Sequence, residues 1–223
     1  MRTAQRTLTR DAVTIGLAMV AIGASFGAIA IASGLPWWAP SLMSTIVFAG
    51  GAQFMAVGLL VAGNPVAAVL AGLLLNARHL PFGLAVAGAL GPSLRARLVG
   101  AHLMTDEVVA FTLAEDDPAR RRRTYWIIGI TLFTTWNVGT VLGAAFASVA
   151  ADPAAFGLDA AFPAGLIALL WPTLRDPATR DVAVAGAAVA VLATPLLPAG
   201  LPVLLSLLGL GVLLLRSRKG AAA

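Results

Sequence analysis

Long apolar runs, interrupted by short polar clusters, dominate the hydrophobic pattern of the chain. Residues 12–77 contain no Asp, Glu, Lys or Arg, and most of them are apolar. A transmembrane helix needs about 20 mostly apolar residues, whereas a soluble surface helix keeps a polar face for water. The pattern therefore predicts an all-α fold, a polytopic membrane helix bundle with about seven or eight crossings.

The apolar runs and the turn residues between them define approximate helix ranges. These are 12–33, 41–62, a third helix that starts at Pro65, and then 98–114, 124–150, 160–174, 182–196 and 199–215. The third helix runs into the sequence NARHLPFG (76–83), where Pro81 and Gly83 disfavour a straight helix. We therefore expect a broken or re-entrant segment over residues 64–91.

Composition and charge agree with a membrane protein. Hydrophobic residues make up 59% of the chain and charged residues only 11%, whereas soluble domains are about 25% charged. The basic residues lie at junctions between apolar runs, namely the N-terminus, Arg95 and Arg97, residues 120–123, Arg175 and Arg180, and residues 216–219. Because basic loops stay cytoplasmic, the spacing predicts a multi-pass protein with both termini in the cytoplasm and no nucleic-acid partner. Arg95 and Arg97 conflict with eight simple crossings, since they would lie outside.

Polar side chains within or beside the apolar runs are the candidate functional residues. A charged side chain at the centre of a bilayer costs about 2.5–3.5 kcal/mol, so it faces a cavity or a partner. The candidates are Gln53, Asn76, Arg78, His79, His102, Asp106, Glu107 and Asn137. We expect Arg78 to pair with Asp106 or Glu107. The structural alternative places Arg78 at a helix end, where it reaches the lipid headgroups.

The polar set suits a small zwitterionic solute. We expect Gly50 and Gly51 to let the backbone approach this ligand, because open helix N-termini favour a carboxylate. The other expected substrate-binding residues are Gln53, Asn76, Arg78 and Asn137. Apolar walls around them would accept an aliphatic side chain.

Four residues are candidates for proton or ion coupling. Asp106 is the favoured proton carrier, because burial favours the protonated carboxyl. His102, His79 and Glu107 are the alternates; in a continuous helix over 98–114, His102 would share a face with Asp106. No zinc-type spacing is present and the chain has no cysteine, so we expect neither a metal nor a cofactor.

Small residues predict close helix packing and a faint internal repeat. Gly23 and Gly27 are four apart, a spacing that lets two helices approach closely in lipid. Residues 23–53 and 139–168 each combine a glycine-spaced helix, a Gly-Leu turn and a loosened helix that starts at Phe. Many transporters consist of two such repeats, with broken helices at the site between them.

Four stretches carry a resemblance to a known family. FAGGAQFMAVGLL, NARHLPFG, HLMTDEVVAF and GLDAAFPAGLIALLWPTLRD together resemble the AzlC family of branched-chain amino-acid export permeases. The resemblance covers nearly the whole chain. It implies one membrane transport domain over residues 1–223, in a bacterial plasma membrane, which exports valine, leucine and isoleucine, with methionine as a further candidate. It also implies a small membrane partner, AzlD, and a permease rather than an enzyme.

The family's polar landmarks match positions of this chain. They fall on Gln53, Asn76, Arg78, His79, Asp106 and Glu107, and its second-half Phe-Pro step falls on Phe162 and Pro163. Members often carry Trp-Gln in the fifth helix, where this chain has Trp136-Asn137. The absence of a Walker A motif makes proton or ion coupling the expected energy source.

Three alternatives stay open at this point. The chain could export another small amphiphilic solute. It could be a non-transporting scaffold subunit, in which case the small-residue faces of the helices over 12–33 and 124–150 would bind a partner. It could also be an intramembrane enzyme that uses His102 and Asp106.

Overall fold

The regular secondary structure in the described part of the chain is entirely helical. The computed structural model describes residues 2–149, 167, 171, 173–197 and 201–212. The ten α-helices in these residues are α1 (Arg2–Ala32), α2 (Ala39–Ile46), α3 (Gly50–Val61), α4 (Pro65–Asn76), α5 (His79–Leu90), α6 (Leu94–His102), α7 (Asp106–Leu113), α8 (Pro118–Val149), α9 (Pro177–Ala193) and α10 (Leu201–Leu205). Short 3₁₀ segments cover Thr173–Arg175 and Ser206–Leu210. The prediction of an all-α fold is confirmed.

Local chemistry explains where several helices begin. The side chains of Asn64, Ser93, Thr105 and Asp176 each accept a backbone N–H three residues further on. Such caps satisfy one of the free N–H groups at a helix start. Gly91, at φ 103°, ends α5 in a backbone conformation that favours glycine.

The two longest helices, α1 and α8, pack side by side along most of their length. A Cβ on Gly23 would lie 2.5 Å from the Trp136 carbonyl oxygen, and one on Gly27 would lie 2.8 Å from the Ala144 nitrogen. Gly139 and Gly143 approach the α1 backbone in the same way. The prediction of close packing at Gly23 and Gly27 is confirmed. Since residue numbers rise together along both helices, α1 and α8 are parallel.

α2 and α3 meet at the middle of α8. The Ser44 and Thr140 hydroxyls are 3.4 Å apart, and the rings of Phe48 and Phe133 are 5.0 Å apart, so α2 runs antiparallel to α8. The helix predicted over 41–62 is therefore broken, at residues 47–49. The cause is local, because Phe48 has φ 38° and the glycines of α3 follow at once.

α4 and α5 form one bent segment. The angle between them is 45°, at a break over residues 77–78. α5 ends at Gly91, where an added Cβ would lie 3.0 Å from a guanidinium nitrogen of Arg122 near the basic end of α8. The start of α4 therefore lies towards the opposite end of α8. The α3–α4 turn lies there too, because α3 packs along α4. The predicted break in residues 64–91 is confirmed.

Two segments each enter and leave the bundle at the same end of α8, residues 39–61 at its C-terminal end and residues 91–115 at its basic end. The first segment enters from the C-terminal end of α8 and returns there through α3. The second leaves the neighbourhood of Arg122, reaches Leu103 beside Gly129, and returns to Glu115, whose carboxylate is 3.4 Å from the Thr124 hydroxyl. We call these segments the upper hairpin and the lower hairpin.

The lower hairpin changes the topology predicted from the sequence. The helix predicted over 98–114 is wrong, because α6 ends at His102 and the Thr105 cap starts α7. Arg95 and Arg97 follow Gly91, and the Arg97 Nε donates to the Gly91 carbonyl at 3.4 Å. They therefore lie at the basic end with Arg122, so their conflict with the orientation rule disappears.

The membrane spans in the described residues are fewer than the seven or eight predicted. Leu8–Ala32 and Pro118–Val149 are long and apolar enough to cross a membrane, and the bent α4–α5 pair is a possible third span. The count of seven to eight is not confirmed. The predicted helix over 160–174, Phe162, Pro163 and much of the second repeat unit fall largely outside the described residues.

Candidate functional site

The helix breaks at residues 47–49, 77–78 and 103–105 meet in one cavity of about 340 Å³. Small-molecule sites usually have volumes of about 300–1,000 Å³, so this cavity suits a small solute. Its lining consists of Met19, Ile22, Phe48, Ala49, Gly50, Gly51, Met55, Leu75, Arg78, His79, Thr105, Asp106, Glu107, Leu132 and Trp136. The parallel helices α1 and α8 supply one wall, and the tips of the two hairpins and the break between α4 and α5 supply the others.

A buried amide shapes the tip of the upper hairpin. Gln53 is only 1% exposed, and its side-chain oxygen accepts the Ala49 N–H at 3.1 Å. This bond ties the residue before α3 to the first turn of α3. Gln53 does not line the cavity. Its observed contact shapes the helix start, and its predicted contact with substrate stays a prediction.

The break between α4 and α5 carries the central ion pair. Arg78 donates through Nη1 to the carboxylate of Asp106 in the lower hairpin. The predicted Arg78–Asp106 pair is therefore confirmed. Beside it, the His79 Nδ1 is 2.9 Å from the Asn76 carbonyl oxygen, which fixes the ring at the cavity wall.

The lower hairpin adds a second carboxylate to the cavity. The Thr105 hydroxyl caps α7, and Asp106 and Glu107 occupy its first turn, where acidic groups are favoured. Asp106 pairs with Arg78, but Glu107 has no ion-pair partner among the described residues. The two carboxylates and one guanidinium therefore leave one negative charge in excess on this side of the cavity.

Besides Gln53, three predicted site residues lie outside the cavity lining. The His102 Nε2 is 2.8 Å from the Thr45 carbonyl oxygen, so His102 links the two hairpins. The Asn137 amide donates to the Phe133 carbonyl at 2.8 Å within α8. Asn76 precedes the lining residues of α5, and its side-chain oxygen is buried with no partner.

His102 and Asp106 do not share a helix face, which corrects that prediction. They belong to different helices, α6 and α7, with residues 103–105 between them. The described residues contain no cluster of three or more His, Asp or Glu side chains that could hold a metal. Roles in substrate binding or coupling stay predictions for every residue named above.

Trp136 lines the cavity but was not among the predicted site residues. It is 4% exposed, and its indole N–H has no hydrogen-bond partner. The available signal was the Trp136-Asn137 step itself, of which only the amide was predicted to bind substrate. Met19, Ile22 and Leu132 carried no signal, because nothing distinguishes them from other apolar residues of their helices.

Comparison with known proteins supports a family assignment. The family described as AzlC protein matches residues 14–150 of the chain. The inner membrane protein YgaZ of Escherichia coli (strain K12) is 30% identical over 149 residues, which cover 60% of this chain and 58% of that protein. The branched-chain amino acid transport protein AzlC of Bacillus subtilis (strain 168) is 28% identical over 130 residues, which cover 57% of this chain and 51% of that protein.

The chain thus spans little more than half the length of either relative. No solved structure matches it. The family match covers all of α2 to α8, so it includes the helix breaks that surround the cavity. The chain belongs to the AzlC family.

Proposed function

We propose that this chain is a membrane transport subunit that exports branched-chain amino acids from a bacterial cell. Valine, leucine and isoleucine are the expected substrates, with methionine as a further candidate. The observation that carries the proposal is the cavity where three helix breaks meet beside α1 and α8. Broken helices at the centre of a bundle are typical of transporter sites, because they offer backbone groups to a polar solute.

The lining chemistry suits an aliphatic amino acid. Met19, Ile22, Met55, Leu75 and Leu132 offer apolar surface to a hydrocarbon side chain. The unpaired Glu107 carboxylate suits an ammonium group, and the helix starts at the cavity suit a carboxylate. A ligand with only one of these groups (a hydrocarbon side chain, an ammonium or a carboxylate) would leave part of the lining without a partner.

The two hairpins give the cavity a separate cover on each side. The upper hairpin lies between the cavity and one membrane face, and the lower hairpin between the cavity and the other. Moving one hairpin at a time would open the site to one side only, as alternating access requires. The basic end is the proposed cytoplasmic side, and we propose that both termini face the cytoplasm.

Asp106 is the proposed coupling residue. Its carboxylate joins the lower hairpin to Arg78, so binding a proton would remove one charge of that link. Loss of the link would free the lower hairpin to move. Proton binding would thereby change access to the cavity without any ATP chemistry.

Two further points rest on relatives. The relative from Bacillus subtilis is named a branched-chain amino acid transport protein, which supports the substrate class. A small AzlD-like membrane subunit is the proposed partner, as the family resemblance implies.

The scaffold alternative loses its main support, because the small-residue faces of α1 and α8 pack against each other within the chain.

Efflux from cells tests the proposal. Cells that lack their own exporter are loaded with a leucine- or valine-containing dipeptide, and release of the amino acid is followed with and without this chain and its AzlD-like neighbour. We expect faster release with both proteins and loss of the gain with Asp106→Asn. Asp116→Asn, in the exposed loop after α7, is the matched control. Unchanged release of every aliphatic amino acid, with both proteins present in the membrane, would remove the substrate assignment.

A further inference from the structure

Two arginine side chains converge on the turn that starts the lower hairpin. The Arg97 Nε donates to the Gly91 carbonyl at 3.4 Å, and a Cβ on Gly91 would lie 3.0 Å from a guanidinium nitrogen of Arg122. Arg97 belongs to α6 and Arg122 to α8, so the two guanidiniums reach the same residue from different helices. Because like charges repel at short range, this arrangement favours an anion that contacts both.

No carboxylate of the described residues neutralises the two arginines. Arg97 and Arg122 have no ion-pair partner in this part of the chain, whereas Arg120 pairs with Glu115 at 3.2 Å. In the same loop, the Asp117 carboxylate accepts the backbone N–H of Arg120 at 2.8 Å. These two carboxylates are therefore engaged at the start of α8, and the positive charge at Gly91 is left for a ligand.

Exposed apolar side chains lie on the same helix as Arg97. Leu94 and Leu98, one turn apart on α6, are 71% and 63% exposed. The surface also adjoins the basic end of α8, the proposed boundary between lipid and cytoplasm. A soluble anion would leave these leucines in water, whereas a phospholipid offers a phosphate to the guanidiniums and an acyl chain to the leucines.

We infer that Arg97 and Arg122 bind the headgroup of an anionic phospholipid at the base of the lower hairpin. The phosphate accepts hydrogen bonds from both guanidiniums, whose planar donor groups match its oxygens, and an acyl chain lies on Leu94 and Leu98. The lipid thereby joins α6 to α8 where the lower hairpin begins. This inference goes beyond the proposed function, since the two arginines lie outside the cavity and the lipid is not transported.

Binding of a fluorescent phosphatidylglycerol to the purified protein in a non-ionic detergent tests the inference. Unlabelled phosphatidylglycerol, phosphatidylcholine and inorganic phosphate are added as competitors. Phosphatidylcholine keeps the phosphate and the acyl chains but has no net charge, and inorganic phosphate keeps the anion without an acyl chain. Arg97→Gln and Arg122→Gln each remove one guanidinium. Arg123→Gln, which removes an exposed guanidinium from the next position of α8, is the matched control.

The wild-type protein should bind phosphatidylglycerol about tenfold or more tightly than phosphatidylcholine, because only the first brings a net negative charge to the two guanidiniums. Arg97→Gln and Arg122→Gln should each weaken phosphatidylglycerol about tenfold, and Arg123→Gln about twofold or less. The unfolding midpoint of each variant without lipid is compared with that of the wild type, so that a loss of fold is not read as a loss of binding.

Three results would overturn the inference. Equal competition by phosphatidylglycerol and phosphatidylcholine in the wild-type protein, a reading that needs no variant, would reject an anionic headgroup site. Equal losses in Arg122→Gln and Arg123→Gln would show a diffuse basic surface in place of a site. Displacement by inorganic phosphate at the concentration that phosphatidylglycerol requires would assign the two arginines to a soluble anion. Failure of amino-acid export would instead count against the proposed function, because lipid binding is measured without transport.

Discussion

Adding one methyl group at Gly143 should separate the two long parallel helices. A Cβ there would lie 2.6 Å from the Ala24 carbonyl carbon and closer still to its oxygen. Carbon atoms pack comfortably at about 3.5–4.0 Å, so the helices must move apart by about 1 Å. Both contacting groups are backbone, so no side-chain rotation relieves the clash. Overpacking of this kind costs about 1–3 kcal/mol.

The assay is thermal unfolding of the purified protein in detergent, with a matched glycine as the control. Gly72 lies in α4, and a Cβ there would meet nothing within 4 Å. Gly72→Ala should be neutral or stabilising, because alanine is favoured over glycine in a helix by about 0.5–1 kcal/mol. Gly143→Ala should lower the unfolding midpoint by several degrees. Equal midpoints for the two variants would refute the close packing of α1 on α8.

Three further predictions concern the polar residues. Asp106→Asn and Arg78→Gln should each abolish export at normal membrane abundance. The double variant Arg78→Asp/Asp106→Arg, which exchanges the two charges, should recover part of the export. No recovery would reject the pair as a functional link. Glu107→Gln should weaken leucine binding about tenfold or more, measured by exchange in liposomes, because a charged partner of the ammonium is lost. His102→Phe should reduce the free energy of unfolding by about 0.5–1.5 kcal/mol, because it removes one hydrogen bond to the Thr45 carbonyl, and the unfolding midpoint should fall accordingly. His102→Gln should lower the midpoint less.

Apolar patterning predicted the helical class and one break, and it did so for clear physical reasons. Polar residues in NARHLPFG are costly in lipid, so their presence marks a point where a helix opens into a cavity. The Arg78–Asp106 pair was also predictable, because opposite charges in an apolar chain have few other partners. The glycine spacing at Gly23 and Gly27 correctly indicated a tight helix contact.

The lower hairpin was not predicted, because the apolar pattern over 98–114 favoured one continuous helix and the cap at Thr105 was not recognised. Thr105, Asp106 and Glu107 are a helix-start signature, with a hydroxyl cap followed by acidic residues in the first turn. Read as the middle of one helix, they placed His102 and Asp106 on a common face. The contact of His102 with Thr45 joins segments far apart in sequence, and no local pattern indicates it.

The central claim, that the cavity between the helix breaks binds the amino acid, can be tested by protection of a single cysteine. The chain contains no cysteine, so an introduced one is its only thiol. Leu75→Cys lies in the cavity wall, and Ala114→Cys lies exposed after α7 as the control. The rate of labelling by a water-soluble thiol reagent is measured with and without leucine. We predict that leucine slows labelling at position 75 and leaves position 114 unchanged; equal rates at position 75, in a preparation that exchanges leucine, would contradict the account.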